Sequence, residues 1–243
     1  MSDTGQSWKF QYSCKFKMIK LIRSLLVSSP SRYFRFGMRH LVKTHSAFAR
    51  EIALEQAMNF VNKCEVPGDY LEFGVWQGRT FSAACFLARE RRLDMHFWAF
   101  DSFQGLPGSE GEFGAGEYGC SRQSFLRNVK KCVRDLDRVH VVPGWFSETL
   151  VNENPLIETL RVVAVAWVDC DLYESTKPVL EFLTTRLQDG SLIFFDDWFS
   201  CKGRPDCGEQ RACKEWLENK RHIRLTEYSK FGWHGQSFIV RLC

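Results

Sequence analysis

Five aspartates stand out by their neighbours: Asp101 in W-A-F-D-S, Asp169 and Asp171 in W-V-D-C-D-L-Y-E-S-T, and Asp196 and Asp197 in F-F-D-D-W. Each group follows an apolar run that reads as a buried strand, so the carboxylates sit at strand carboxyl ends. Open α/β sheets bind ligands there. Carboxylates gathered in one region repel: two unit charges ~4 Å apart cost about 4 kcal/mol at an effective dielectric of ~20. A hard divalent cation with oxygen ligands, Mg²⁺ keeping some of its waters, is the natural compensation. Asp169, Asp196 and Asp197 are the expected ligands. The plainer alternative is that one of Asp196 and Asp197 caps the next segment while the others pair with Arg or Lys.

A second constellation is D-Y-L-E-F-G-V-W-Q-G-R-T-F-S, Asp69 to Ser82. Tyr70 to Phe73 read as a strand, and the chain is helical from Arg79. Gly74 and Gly78, lacking Cβ, let the loop between them turn sharply and approach a ligand. The spacing is E-x-G-x-x-x-G, not the dinucleotide pattern G-x-G-x-x-G. Glu72 suits a ligand with a cationic amino group better than a pyrophosphate. A tight strand–helix turn with no ligand is the alternative that spacing alone leaves open. Asp101 lies 27 residues past Gly74, where an acid can accept the hydroxyls of a ribose.

These residues need a scaffold of alternating strands and helices. A helix is expected over 45–64. Strands are expected at Tyr70–Phe73, His96–Phe100, Val139–Val142, Val162–Val168 and Ser191–Phe195, with helices over Arg122–Val133, Lys177–Leu187 and Glu209–Lys220. Ile223–Tyr228 and Ser237–Arg241 read as a closing hairpin. The pattern predicts an α/β, Rossmann-like fold: a seven-stranded, mostly parallel sheet with helices on both faces and one antiparallel strand. Gly108–Gly119, with five glycines and three glutamates, reads as a mobile loop over the site. Trp145 and Phe146, after the third strand, either sandwich a purine or fill the core.

The chain has 243 residues and a net charge of +4, enough length for one sizeable domain that needs no staple. Its charge is uneven. Residues 1–50 carry +9 and the remainder −5. The chain reads as a basic N-terminal arm, 1–45, and a domain, 46–243. Residues 15–43 are basic, and the apolar stretch Lys15–Ser29 within them is too short and too charged to span a bilayer. They either lie on an anionic membrane surface or, more plainly, pack on their own domain or cap a homo-oligomer. The ten cysteines include no C-x-x-C pair and no recognisable zinc spacing, so reduced thiols in a cytoplasmic protein are expected. A nucleic-acid partner is disfavoured: no N-P-P-Y or D-P-P-Y tetrad is present, and the basic residues lie outside the expected catalytic domain.

The motifs D-Y-L-E-F-G-V-W-Q-G-R-T, A-F-D-S-F-Q-G-L-P, V-D-C-D-L-Y-E-S-T and F-F-D-D-W, in this order over about residues 50–241, resemble the macrocin O-methyltransferase family. The resemblance implies a class I fold, S-adenosylmethionine as cofactor, a divalent metal, and methylation of sugar hydroxyls in natural products. It implies that Glu72, Gly74 and Gly78 hold the methionine part of the cofactor and Asp101 its ribose. Thr80, Ser102, Phe146 and Ser147 are the further expected cofactor contacts. It implies Mg²⁺ on Asp169, Asp196 and Asp197, and Asp171 beside Asp169 as the catalytic pair, Asp171 being the general base. Two departures bear on this. D-G-D reads D-C-D here, and the loop with Cys201, Lys202 and Arg204 differs from the usual family segment, which opens the acceptor's identity. A lipid-linked or nucleic-acid acceptor held by the basic arm is the alternative.

Overall fold

The middle one of the five parallel strands is β1, Asp69–Phe73, all of whose residues are buried. The computed structural model describes residues 48–151 and 154–243, and the compact unit containing the sheet spans Arg50–Cys243. The expectations for residues 1–45, the arm, its membrane surface and its role in a homo-oligomer, lie outside the described residues.

A helix, α1, runs Ala49–Lys63. After β1 come α2 (Arg79–Glu90), β2 (Phe97–Asp101), α3 (Arg122–Cys132), β3 (Val139–Pro143), the short α4 (Phe146–Thr149), β4 (Val163–Val168), α5 (Tyr173–Leu183), β5 (Leu187–Phe195), the single turn α6 (Ser200–Gly203), α7 (Gly208–Asn219), β6 (Ile223–Phe231) and β7 (Gly235–Leu242). The seven strands lie in the order β3-β2-β1-β4-β5-β7-β6. The first five are parallel, and β7 runs antiparallel to both its neighbours.

Helices cover both faces, which is why β4 reads V-A-V-A-W-V with every residue buried. Tyr70, Trp167 and Phe194 enter one core with Phe81 and Phe125, while Leu71, Phe73, Val168 and Phe195 enter the other with Phe182 and Leu183.

The register positions the site. Phe73 is level with Phe100 of β2 and Val168 of β4, and Val168 is level with Phe195 of β5. The next residues along these strands are therefore Asp101, Gly74, Asp169 and Asp196, one row across the carboxyl edge. β7 starts at Gly235 beside β5, which brings the hairpin turn and its His234 to the same edge.

Three expectations need correction. α5 starts at Tyr173 rather than Lys177, because the Tyr173 N–H is capped at 2.6 Å by Glu110, 63 residues away. β5 starts at Leu187 rather than Ser191, held by Ser191 Oγ on the Val163 carbonyl at 2.6 Å. The cysteines are not all reduced: Cys201 and Cys207 form a disulfide, their Cα atoms 6.3 Å apart, because the turn around Pro205 folds the loop back on itself. Among the described residues no helix is long and apolar enough to cross a membrane.

Candidate active site

A cavity of about 510 Å³ opens beyond the carboxyl edge of the sheet. Gly74 has φ 89°, and a Cβ there would lie 1.9 Å from the Asp169 carbonyl. Only glycine lets the ends of β1 and β4 abut this closely. Gly78 (φ 81°) precedes α2, and a Cβ on it would meet the Phe125 ring at 2.9 Å. Gly78 thus lets α2 approach α3, and it is not among the cavity-lining residues.

Asp101 fixes the loop between the two glycines. Its Oδ2 accepts from the Val75 and Trp76 N–H groups at 2.9 and 3.1 Å, and its Oδ1 from Phe103 N–H at 2.6 Å. Burial pushes its pKa up while these donors pull it back. A carboxylate has about four acceptor positions, so room remains for roughly one further donor from the cavity. Glu72 is buried, with the Tyr70 hydroxyl donating to it at 2.5 Å. Burial raises its pKa to about 8. Thr80, Ser102, Phe146 and Ser147 all line the cavity. Phe146 stands edge-on against Phe73 at 6.0 Å, as part of the core wall, and Trp145 lines the cavity beside it.

The strand-end aspartates fall into two overlapping groups, neither of which holds the expected set Asp169, Asp196 and Asp197 together. Carboxylate oxygens of Asp169, Asp171 and Asp197 lie within 4.8 Å of one another, and Asp196, Asp197 and His234 make a second such group. Burial, then like charge, pushes Asp169 well up; the same causes take Asp171 to about 9 and Asp197 to about 6. Asp171 is the central residue of a three-residue turn, with φ 60° and a Leu172 N–H to Cys170 carbonyl bond of 2.6 Å. That left-handed γ-turn is rare and strained, and strained backbone concentrates at functional sites.

Asp196 does not line the cavity. It is fully buried, and Arg50 of α1 donates to it from Nε at 2.8 and 3.0 Å and from Nη2. His234 Nδ1 hydrogen-bonds the Asp196 carbonyl. Buried Glu209 holds the loops from behind, accepting from Asp197 N–H at 2.9 Å and Cys170 N–H at 3.5 Å. Sequence reasoning missed Arg50, Glu209 and His234. Arg50 falls at a helical position with no motif around it, 146 residues from its partner.

The glycine-rich loop is docked over this edge. Glu110 accepts from Tyr173 N–H at 2.6 Å and Gly208 N–H at 3.1 Å, and Glu112 from Cys201 N–H at 3.0 Å. Tyr118 of the loop meets Trp76 edge-to-face, ring centroids 6.0 Å apart, and both rings line the cavity.

A model of the macrocin-O-methyltransferase (TylF) family matches residues 40–223. The chain belongs to this family. As a macrocin-O-methyltransferase family member it has curated relatives of related chemistry. Demethyldecarbamoylnovobiocin O-methyltransferase of Streptomyces niveus is 32% identical over 177 residues, 66% of this chain and 64% of that protein. The 8-demethyl-8-(2,3-dimethoxy-alpha-L-rhamnosyl)-tetracenomycin-C 4'-O-methyltransferase of Streptomyces olivaceus is 35% identical over 153 residues, 55% of this chain and 54% of that protein. The match thus spans less than two thirds of these relatives' length. The solved O-methyltransferase NovP superposes with a TM-score of 0.64 at 25% identity, covering 79% of each chain. The fold is that of class I methyltransferases, with the macrocin-family motifs gathered at one edge of the sheet.

Proposed function

We propose that the protein is an S-adenosylmethionine-dependent O-methyltransferase acting on a hydroxyl of a small molecule, a sugar of a natural product or glycoconjugate. The observation that carries this reading is the single cavity edge on which Glu72, Gly74 and Asp101 stand to one side and Asp169, Asp171 and Asp197 to the other. The macrocin-family match and the sugar-methylating relative from Streptomyces olivaceus support it.

S-adenosylmethionine supplies an electrophilic sulfonium methyl. In this reading Glu72 takes the cofactor's ammonium and Asp101 a ribose hydroxyl. Thr80 and Ser102, and Phe146 and Ser147, border the space the rest of the cofactor would fill. In this reading Asp171 accepts the acceptor's hydroxyl proton. Burial and the neighbouring Asp197 raise its pKa to about 9 even with Arg50 on the cavity wall, which favours the protonated form. Further cationic groups entering the cavity would lower that pKa and make Asp171 a better base. Aligning two bound reactants supplies much of the acceleration.

The acidic cluster also fits a hard divalent cation. Asp169, Asp171 and Asp197 bring carboxylate oxygens within 4.8 Å of one another, the kind of donor that a hard divalent cation takes. Asp169, Asp196 and Asp197 are the residues proposed to hold it, with Asp171 and His234 adjoining. Such an ion would polarise the acceptor hydroxyl.

Calorimetric titration with S-adenosylmethionine, followed by methylation assays on a panel of glycosylated and free sugars, tests the proposal. Micromolar cofactor binding with methyl transfer to a sugar hydroxyl is expected. Failure of the intact protein to bind the cofactor would overturn it.

A further inference from the structure

The proposed Mg²⁺ ligand Asp196 is already occupied by a cation of the chain itself. Both its oxygens receive Arg50, Nε on Oδ1 at 2.8 Å and on Oδ2 at 3.0 Å, with Nη2 also on Oδ2. This fork uses about three of the four acceptor positions a carboxylate has. Asp196 is fully buried, whereas 41% of the Arg50 side chain is exposed. The carboxylate cannot leave, but the guanidinium can. Arg50 also lines the cavity beside Asp169 and Asp197, and it sits in the first turn of α1 on a long, flexible stem. A divalent ion touching Asp196 and Asp197 would stand against this guanidinium, and two cations on one carboxylate repel.

We propose that Arg50 is a tethered counter-ion that competes with the divalent cation for Asp196: it neutralises Asp196 when the metal is absent and swings towards solvent when the metal enters. This rests on the reading that the cluster takes such a cation. Arg50 is a positioning residue. It holds Asp196 in the row formed by the strand ends, and it keeps the metal-free protein from carrying an unpaired buried charge. It also lowers the apparent metal affinity by the fraction of time it occupies the site.

The test is Mn²⁺ binding by the full chain, read by electron paramagnetic resonance of the free ion, for wild type, Arg50→Gln and Arg50→Lys. Arg50→Gln should bind Mn²⁺ at least about tenfold more tightly, and Arg50→Lys, with one cation but no fork, should fall between. Without metal, Arg50→Gln should melt lower than wild type, and Mn²⁺ should remove most of that difference. Unchanged Mn²⁺ affinity in Arg50→Gln would overturn the competition while leaving the metal site standing. No Mn²⁺ binding by wild type or variant would overturn both. Should Arg50→Gln not fold, nuclear magnetic resonance of the wild-type protein gives the answer. Its Arg50 Nε–H nitrogen-15 signal, assigned by its absence in Arg50→Lys, should shift and lose its protection from exchange on adding Mg²⁺. A signal that stays in place while Mg²⁺ binds overturns the proposal.

Discussion

Glu72 shows how one buried carboxylate sets a binding requirement. The Tyr70 hydroxyl donates to it, and burial holds its pKa near 8. A cationic ammonium binds the ionised form, so below that pH each cofactor molecule must expel a proton on entry. S-adenosylmethionine affinity should therefore rise by up to about tenfold per pH unit from 6 to 8 and then level off. Calorimetry in buffers of different ionisation enthalpy reads both the slope and the released proton. Glu72→Gln should bind more weakly at pH 8 and show no slope. A slope that persists in the variant would place the titration elsewhere. Asp171 makes a different prediction. Asp171→Asn keeps the shape of the strained turn, since asparagine tolerates φ 60°, but cannot accept a proton. Turnover should fall roughly 10²–10⁴-fold, as for loss of a general base, with cofactor affinity within a few-fold of wild type. Equal turnover would assign proton removal to another group.

At the scale of elements, the loop 108–119 is held by two carboxylates, not by apolar packing alone. Glu110 caps the N-termini of α5 and α7 together. Glu110→Ala leaves two backbone N–H groups without their acceptor, at a cost of about 1–2 kcal/mol. The loop should then be cut faster in limited proteolysis, and the acceptor KM should rise several-fold while far-ultraviolet circular dichroism is unchanged. An unaltered cleavage rate would show that the loop is pinned by something else. This cap also explains what was legible in the sequence. β1, α2, β2, β3 and β4 were readable to within a residue or two, because apolar runs, glycines and strand-end acids are local signals. The start of α5 was not, because its cap comes from a distant glutamate. The same holds within the site. Glu72, Thr80, Asp101, Ser102 and the aspartates were visible as motif residues, and all but Asp196 line the cavity. Arg50, Glu209 and His234 act through partners far away in sequence, and the Cys201–Cys207 bond has no spacing signature.

For the whole molecule, the cavity edge is a concentration of buried acid that the fold must carry. Glu72 and Asp171 have pKa values raised from 4.5 and 3.8 to about 8 and 9, and Asp169 and Glu209 are displaced in the same direction by burial and by their neighbours' charge. For a carboxyl raised in the folded state, the native protein binds the proton more tightly than the unfolded chain does. Stability from that difference is complete below the unfolded pKa and drains away as pH rises through the folded one. The metal-free protein should accordingly lose at least ~1 kcal/mol per pH unit between about 5 and 8, or about 2–4 °C in Tm per unit for a chain of this size. This is opposite in sign to a fold held by salt-bridged surface carboxylates, which gains stability on leaving acid. A divalent cation supplies the charge that the ionised cluster lacks, so saturating Mg²⁺ should flatten the decline and leave the Tm at pH 5 almost unchanged. Thermal melts across pH 5 to 9, with chelator and with Mg²⁺, measure both. A metal-free Tm that climbs with pH would mean that Arg50 and the backbone donors already hold the cluster ionised, and that the cavity needs no further cation to fold.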